Sequence, residues 1–217
     1  MSHSAAAGQP VWKKMIFSEV ILNKSPAHRI AYIGIMTALC ILANTFEIKF
    51  ADVQYSVTIF TSMLAGILIG PLSGAAAAFL GDFIGYAINS MAYPYYWWVA
   101  LSVALMAVIA GLIMRLPFSF RGSVYVKLAI ACICSFFLCS VLVNSLCGYY
   151  IGLKIYFAKD LLDYFETQWG GQNTFGIYLL YRFFFKGQIF NSIANFVLLF
   201  LTIPTLRAIR PLKLNIR

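Results

Sequence analysis

Apolar residues along this chain come in runs approaching the roughly 20 residues that carry an α-helix across a hydrocarbon core of about 30 Å. Short polar or Pro/Gly-marked stretches separate them. The pattern predicts spans at His28–Asn44, Val53–Ile69, Pro71–Ser90, Trp97–Leu116, Val124–Cys147 and Phe183–Ala208. Gly70-Pro71 joins the second and third too abruptly for anything but a tight turn, and Pro117–Ser123 joins the fourth and fifth. On the opposite side the connections are longer: Thr45–Asp52, Met91–Tyr96 and, longest, Gly148–Arg182. The expected fold is an all-α membrane protein, a six-transmembrane-helix bundle over residues 28–210 with tails at 1–27 and 211–217.

Composition agrees, with 62% hydrophobic and 11% charged residues, far from the soluble globular range. Eleven of the 16 basic residues fall on the side holding both termini: Lys13, Lys14, Lys24, Arg29, Arg115, Arg121, Lys127, Arg207, Arg210, Lys213 and Arg217. The positive-inside rule makes that side cytoplasmic, both termini with it. Glu47, Asp52, Asp160, Asp163 and Glu166 lie in the opposite loops, expected to be extracellular. A net charge of +9 therefore reports topology in the lipid bilayer, and no nucleic-acid partner is expected. The N-terminal stretch is polar, and its Met15–Leu22 patch is interrupted by Glu19, so it reads as a retained cytoplasmic tail or short surface helix and not as a cleaved signal. Cys40, Cys132, Cys134, Cys139 and Cys147 sit in apolar stretches without metal-binding spacing, and read as small buried hydrophobes.

No engine is encoded: there is no GxxxxGK[ST] loop, no HExxH and no pair of acids within a span. Neither an enzyme nor a cofactor or metal site is expected. In the third span Gly74, Ala78, Gly81 and Gly85 recur at helical spacing and call for a helix close against them. Asp82 is the one acid deep in a span, either a structural hydrogen-bonding group or a functional one. On the first span Ala31, Gly34 and Ala38 form a second smooth stripe, fit for packing inside the bundle or against another protein. Gln188, Asn191 and Asn195 line one face of the last span, and Asn144 lies at similar depth, serving as interhelical bonds or as a pocket for a small molecule. Arg182 and Lys186 are expected at the extracellular mouth. The outer loops are rich in rings, Tyr93, Tyr95, Tyr96, Trp97 and Trp98 in one and Tyr149, Tyr150, Tyr156, Phe157, Tyr164, Phe165 and Trp169 in the longest, suited to stacking on a heterocycle or to an interfacial belt.

Six spans, a first helix with Ala31, Gly34 and Ala38, and the run from Met63 to Tyr86, MLAGILIGPLSGAAAAFLGDFIGY, together resemble the substrate-binding S-components of energy-coupling factor (ECF) vitamin transporters. Within them the chain looks most similar to the folate family, through that run, Val143-Asn-Ser-Leu146 and Arg182. It departs in Tyr93-Pro-Tyr-Tyr-Trp-Trp98, where a Pro-Gly-Phe-Thr-like element is expected. The resemblance implies a subunit of the bacterial cytoplasmic membrane that binds a vitamin outside, and that works with a transmembrane coupling protein and two cytoplasmic ATPase subunits. It implies docking to the coupling protein by Ala31, Gly34 and Ala38, and a substrate beneath the outer loops. Asn144, Arg182, Gln188, Asn191, Trp97 and Trp169 are then the candidate contacts. Folate is the first candidate; cobalamin, riboflavin or a precursor, or a stand-alone small secondary transporter, are the alternatives.

Overall fold

The computed structural model describes residues 13, 16–22, 24–46, 48–50, 53–89, 95–117, 120, 122–153 and 159–208. Expectations for the outermost tails, for Tyr93, Tyr156 and Phe157, and for Lys14, Glu47, Asp52, Arg121, Arg210, Lys213 and Arg217 lie outside these residues. In chain order the elements are α1 (Glu19–Leu22), α2 (Pro26–Thr45), β1 (Ile48–Phe50), β2 (Val53–Tyr55), α3 (Thr58–Leu68), α4 (Pro71–Ile88) and α5 (Trp97–Ile113). Then follow α6 (Ser123–Leu153), α7 (Lys159–Gln168), α8 (Phe175–Phe185) and α9 (Gln188–Ala208). Helices α2, α4, α6 and α9 are long and apolar enough to cross a membrane, and α3, α5 and α8 are shorter apolar helices. The chain is a multi-pass helical membrane protein.

Local chemistry sets the boundaries. Ser25 caps α2 by accepting from His28 N (3.4 Å), with Pro26 in the first turn where its missing N–H costs nothing. Gly70 has φ 120°, a conformation closed to most side chains, and Pro71 starts α4 directly after it. Residues Thr58–Ile67 of α3 are buried almost without interruption, which makes α3 the centre of the bundle, against α5, α4, α9 and α2. Met63, Ile69, Leu128, Leu199 and Ile203 are fully enclosed there, with Cys40, Cys132 and Cys139 among them as the expected small hydrophobes, whereas Cys134 and Cys147 are only half-buried.

The short segment before α2 is packed into this core. Ile21 is completely buried; Ser18 N donates to Ile69 O (3.0 Å) and its hydroxyl to Leu68 O, and Ser73 Oγ donates to Ile16 O (2.8 Å). Arg115 donates to Phe17 O (2.9 Å), while the Arg29 guanidinium collects the carbonyls of Ile21, Leu22 and Lys24. Two cations of the basic side thus bind carbonyls of this strap, Arg29 those at and just beyond the end of α1, where a helix leaves its last carbonyls without partners of its own.

Four boundaries differ from the sequence reading. The helix expected from Val53 starts at Thr58, because Val53–Tyr55 pair antiparallel with Ile48–Phe50, so among the described residues the regular elements are helices except for this ribbon. The fifth helix runs on past Cys147 to Leu153, with Phe136–Ser145 and Gly148–Leu153 wound in the wider π form. The connection Gly148–Arg182 contains α7 and most of α8, whose Tyr149, Leu153, Phe165, Tyr178 and Tyr181 build a second core, with Trp169 and Phe175 packed on it. Finally, Phe183–Phe185 belong to α8, since Gly187 (φ 67°) turns the chain before α9 begins at Gln188.

Candidate functional site

The chemistry concentrates where α6, α8 and the start of α5 meet. Arg182 lies in the π-wound end of α8, where Lys186 N donates to Tyr181 O (3.0 Å), and its Nη1 donates to Ser145 Oγ (3.0 Å). Ser145 closes the π-wound stretch of α6, its hydroxyl donating to Ser140 O (2.8 Å) and so keeping a lone pair for the guanidinium. π-Turns are rare and concentrate at functional sites, and here two of them face each other. The Tyr178 hydroxyl, one turn before Arg182, stands beside the same guanidinium, and Tyr178 neighbours Tyr96. Among the described residues no carboxylate stands beside Arg182.

Glycines let the surrounding rings approach. A Cβ at Gly148 would collide with the Tyr178 hydroxyl, and one at Gly152 would lie 3.3 Å from the Trp98 indole. Trp98 is buried against Tyr96 (centroids 4.9 Å) and edge-on to Trp97 (5.8 Å), which is 46% exposed and faces outward. Asn144, half-buried, directly precedes Ser145. Trp169 lies on the second core, edge-on to Phe185 (6.4 Å). Several described rings of this long connection pack on one another: Tyr149 meets Phe175 and Tyr178 at 5.6 Å each, and Phe165 meets Tyr181 at 5.8 Å.

The amide stripe of the last helix divides. Val57 gives α3 no side-chain cap, so its first N–H groups need acceptors from elsewhere. Asn195 Oδ1 accepts from Phe60 N (2.8 Å) and Asn191 Oδ1 from Ser56 N (3.1 Å), while Asn195 Nδ2 donates to Ser56 O (2.7 Å) and Asn191 O (2.8 Å). The two asparagines therefore anchor the start of the central helix. Gln188, half-buried, stands apart from them at the Gly187 corner.

Asp82 is buried in α4 and accepts from the Tyr95 hydroxyl (3.2 Å), whose ring rests on Phe83 (5.5 Å) and Tyr86 (5.0 Å). Burial and the neighbouring carboxylate raise the Tyr95 phenol above its ordinary range, so it remains a donor. Ala31, Gly34 and Ala38 are all exposed on α2, and a Cβ at Gly34 would meet nothing within 4 Å. Sequence reasoning gave no role to Ser140 or Tyr178, and named Ser145 only within Val143-Asn-Ser-Leu146. For the two serines the signal was the spacing of Ser135, Ser140 and Ser145 in fives, all buried, a period that suits a π-wound helix.

A search of curated proteins gives no match to this sequence. The family model described as ECF transporter, substrate-specific component matches residues 28–206.

Proposed function

We propose, since the chain belongs to the family of substrate-specific components of ECF transporters, that it captures a vitamin outside the cell and hands it to partner subunits for ATP-driven uptake. Folate is the favoured vitamin. The observation that carries this reading is Arg182, held by Ser145 and Tyr178 with no carboxylate beside it among the described residues. Hydroxyls satisfy hydrogen bonds of a guanidinium but not its charge, and a partly enclosed cation without a counter-ion gains from an anionic ligand. Folate brings carboxylates, and Lys186, over the Tyr181 ring at 5.6 Å and four positions from Arg182, offers a second cation.

In this reading α2, α3, α4, α5, α6 and α9 are six spans of the bacterial cytoplasmic membrane, with both termini inside and Arg182 toward the outer face. The basic residues at the strap end, Arg29 and Arg115, support that orientation. The open stripe Ala31, Gly34 and Ala38 is the surface offered to the transmembrane coupling protein, which two cytoplasmic ATPases would drive; its exposure supports this.

The test is mass spectrometry of the small molecule that co-purifies with the detergent-solubilised protein, followed by tryptophan fluorescence titration with it. Arg182→Ala is expected to weaken binding about ten- to a hundredfold, the cost of about 1–3 kcal/mol for one charge-assisted contact. Arg182→Lys, which keeps the charge, should recover part of it. Unchanged affinity in Arg182→Ala, or no saturable response to any vitamin in a folded preparation, sinks the reading.

A further inference from the structure

Four buried side-chain polar atoms lack a hydrogen-bond partner among the described residues: Ser62 Oγ, Ser135 Oγ, Trp169 Nε1 and Asn173 Oδ1. The two serines have a local remedy, because a hydroxyl inside a helix can turn to the carbonyl four residues earlier. An indole N–H is a rigid donor with no second role, and an amide oxygen only accepts. The other two are therefore a lone donor and a lone acceptor, four positions apart across the Gly170-Gly171 turn. They did not arise from a loose backbone. Trp169 N and Gly171 N both donate to Phe165 O (3.1 Å each), Tyr149 Oη donates to Asn173 O (2.8 Å), and Thr174 accepts from Ile177 N (3.4 Å) to cap α8. The same helix carries Arg182 two turns further on. Donor, acceptor and cation thus border one aromatic cluster, that of Tyr149, Leu153, Phe165, Tyr178 and Tyr181.

We infer that Trp169 Nε1 and Asn173 Oδ1 recognise a ligand edge on which a carbonyl stands next to an N–H, the lactam edge of an oxidised heteroaromatic ring. The ring carbonyl accepts from Trp169 and the ring N–H donates to Asn173, while an anionic tail reaches Arg182. This rests on the reading of the chain as a capture subunit and narrows its substrate class. A ligand made only of acceptors, such as a phosphate or a simple dicarboxylate, would face Arg182 and Trp169 well but set oxygen against the Asn173 oxygen. Trp169 acts in this scheme through its N–H and not as a stacking face. Until such a ligand enters, both atoms have lost water and gained nothing, so this aromatic cluster without ligand is weaker than its packing alone would make it.

The experiment uses full-length protein in detergent with two probes, folate and aminopterin, whose 4-amino pteridine lacks the ring carbonyl and the adjacent N–H. Wild type is expected to bind folate at least about tenfold more tightly, the effect of one mismatched hydrogen-bonding edge. Asn173→Leu, close in shape but apolar, should lose that preference, and its ligand-free apparent unfolding temperature should equal or exceed that of wild type. Trp169→Phe should likewise lose the preference. A lower unfolding temperature for ligand-free Asn173→Leu shows that the oxygen already has a partner and overturns the inference, as does a preference that survives both substitutions. If wild type binds neither pteridine, the folate assignment alone falls. The inference then stands if the co-purifying ligand carries an N–H beside a carbonyl, and fails if it does not.

Discussion

Ala31, Gly34 and Ala38 on α2 and Gly74, Gly81 and Gly85 on α4 repeat at much the same helical spacing, yet their surroundings are opposite. A Cβ built at Gly34 meets nothing within 4 Å, whereas one at Gly81 would lie 2.5 Å from Cys40 Cβ, one at Gly85 2.6 Å from Asn44 Cβ, and one at Gly74 2.5 Å from Gly66 N. The glycines of α4 let α2 and α3 approach to backbone contact. They meet α2 along the side that carries Cys40 and Asn44, and the small residues of α2 are left facing out. Lipid tails are as apolar as the side chains, so helices in a bilayer associate by close packing and not by hiding apolar surface. Small residues at helical spacing therefore say that a close neighbour is possible. Which neighbour it is depends on the rest of the helix.

The comparison breaks most sharply with a bulky residue on the packed side. Gly81→Leu must push Cys40 and the α2 backbone away, a disruption at or above the upper end of the about 1–3 kcal/mol typical of overpacking. Against a total stability of about 5–15 kcal/mol this should lower the apparent unfolding temperature in detergent markedly and reduce the folded yield. A melting curve like that of wild type would mean that α2 and α4 are not in contact there. Next in size is Gly34→Leu or Ala38→Trp on the open side. These are expected to leave vitamin binding and unfolding temperature close to wild type, while co-purification with the ATPase-bearing partners and uptake in cells are lost. Normal uptake would remove the docking role from this face, and poor folding would mean that the face is covered.

How far these faces and the site could be read from the sequence follows from the range of each signal. Apolar runs of 18–21 residues are local, so α2 and α4 were legible to within a few positions, and α9 at its C-terminal end. The ribbon was not, since Val53 and Tyr55 look as apolar as a span start, and what stops the helix before Thr58 is Asn191 and Asn195 from the far end of the chain. Those amides were located correctly on one interior face, but nothing within α9 indicates that they bind Ser56 and Phe60. Arg182 was singled out by its charge, whereas its contact with Ser145 was not legible, because a five-residue period falls outside the three-to-four rule used to find helix faces. Of the rings expected to stack on a ligand or to form an interfacial belt, Tyr149 and Phe165 instead build a core together with Tyr178 and Tyr181, which come from separate segments of the same long connection.

A smaller effect sharpens the packed side from its polar end. Asp82 directly follows Gly81, and Tyr95 binds it while resting on Phe83 and Tyr86. Tyr95→Phe keeps the ring contacts and removes one hydrogen bond to a buried acceptor, so it should cost about 1–2 kcal/mol, seen as a modest fall in apparent unfolding temperature. Because the folded-state phenol is raised above its ordinary value, its contribution is complete below the unfolded pKa of about 10 and is lost only as pH climbs beyond that. The difference between Tyr95→Phe and wild type should accordingly stay constant from pH 6 to pH 9, the flat region below about pH 10. A difference that changes across this range would assign the stabilisation to another group.

The smallest expected effect separates the two faces with a single methyl group. Gly34→Ala adds a Cβ where nothing stands within 4 Å, in the interior of a helix and without positive φ, so the folded state loses nothing and the unfolded chain loses freedom. The outcome should lie between neutral and a gain of up to about 1 kcal/mol. Gly81→Ala adds the same methyl group, but its Cβ would lie 2.5 Å from Cys40 Cβ, closer than carbon atoms pack, and one helix must move. Helix propensity favours alanine equally at both sites, so it cancels when the two variants are compared in one detergent, and the remaining difference measures packing alone. A positive difference in unfolding temperature, Gly34→Ala over Gly81→Ala, is the expected result. Equal values would mean that the gap between α2 and α4 has room for a methyl group, and the close approach attributed to the glycines of α4 would then be absent in the membrane protein itself.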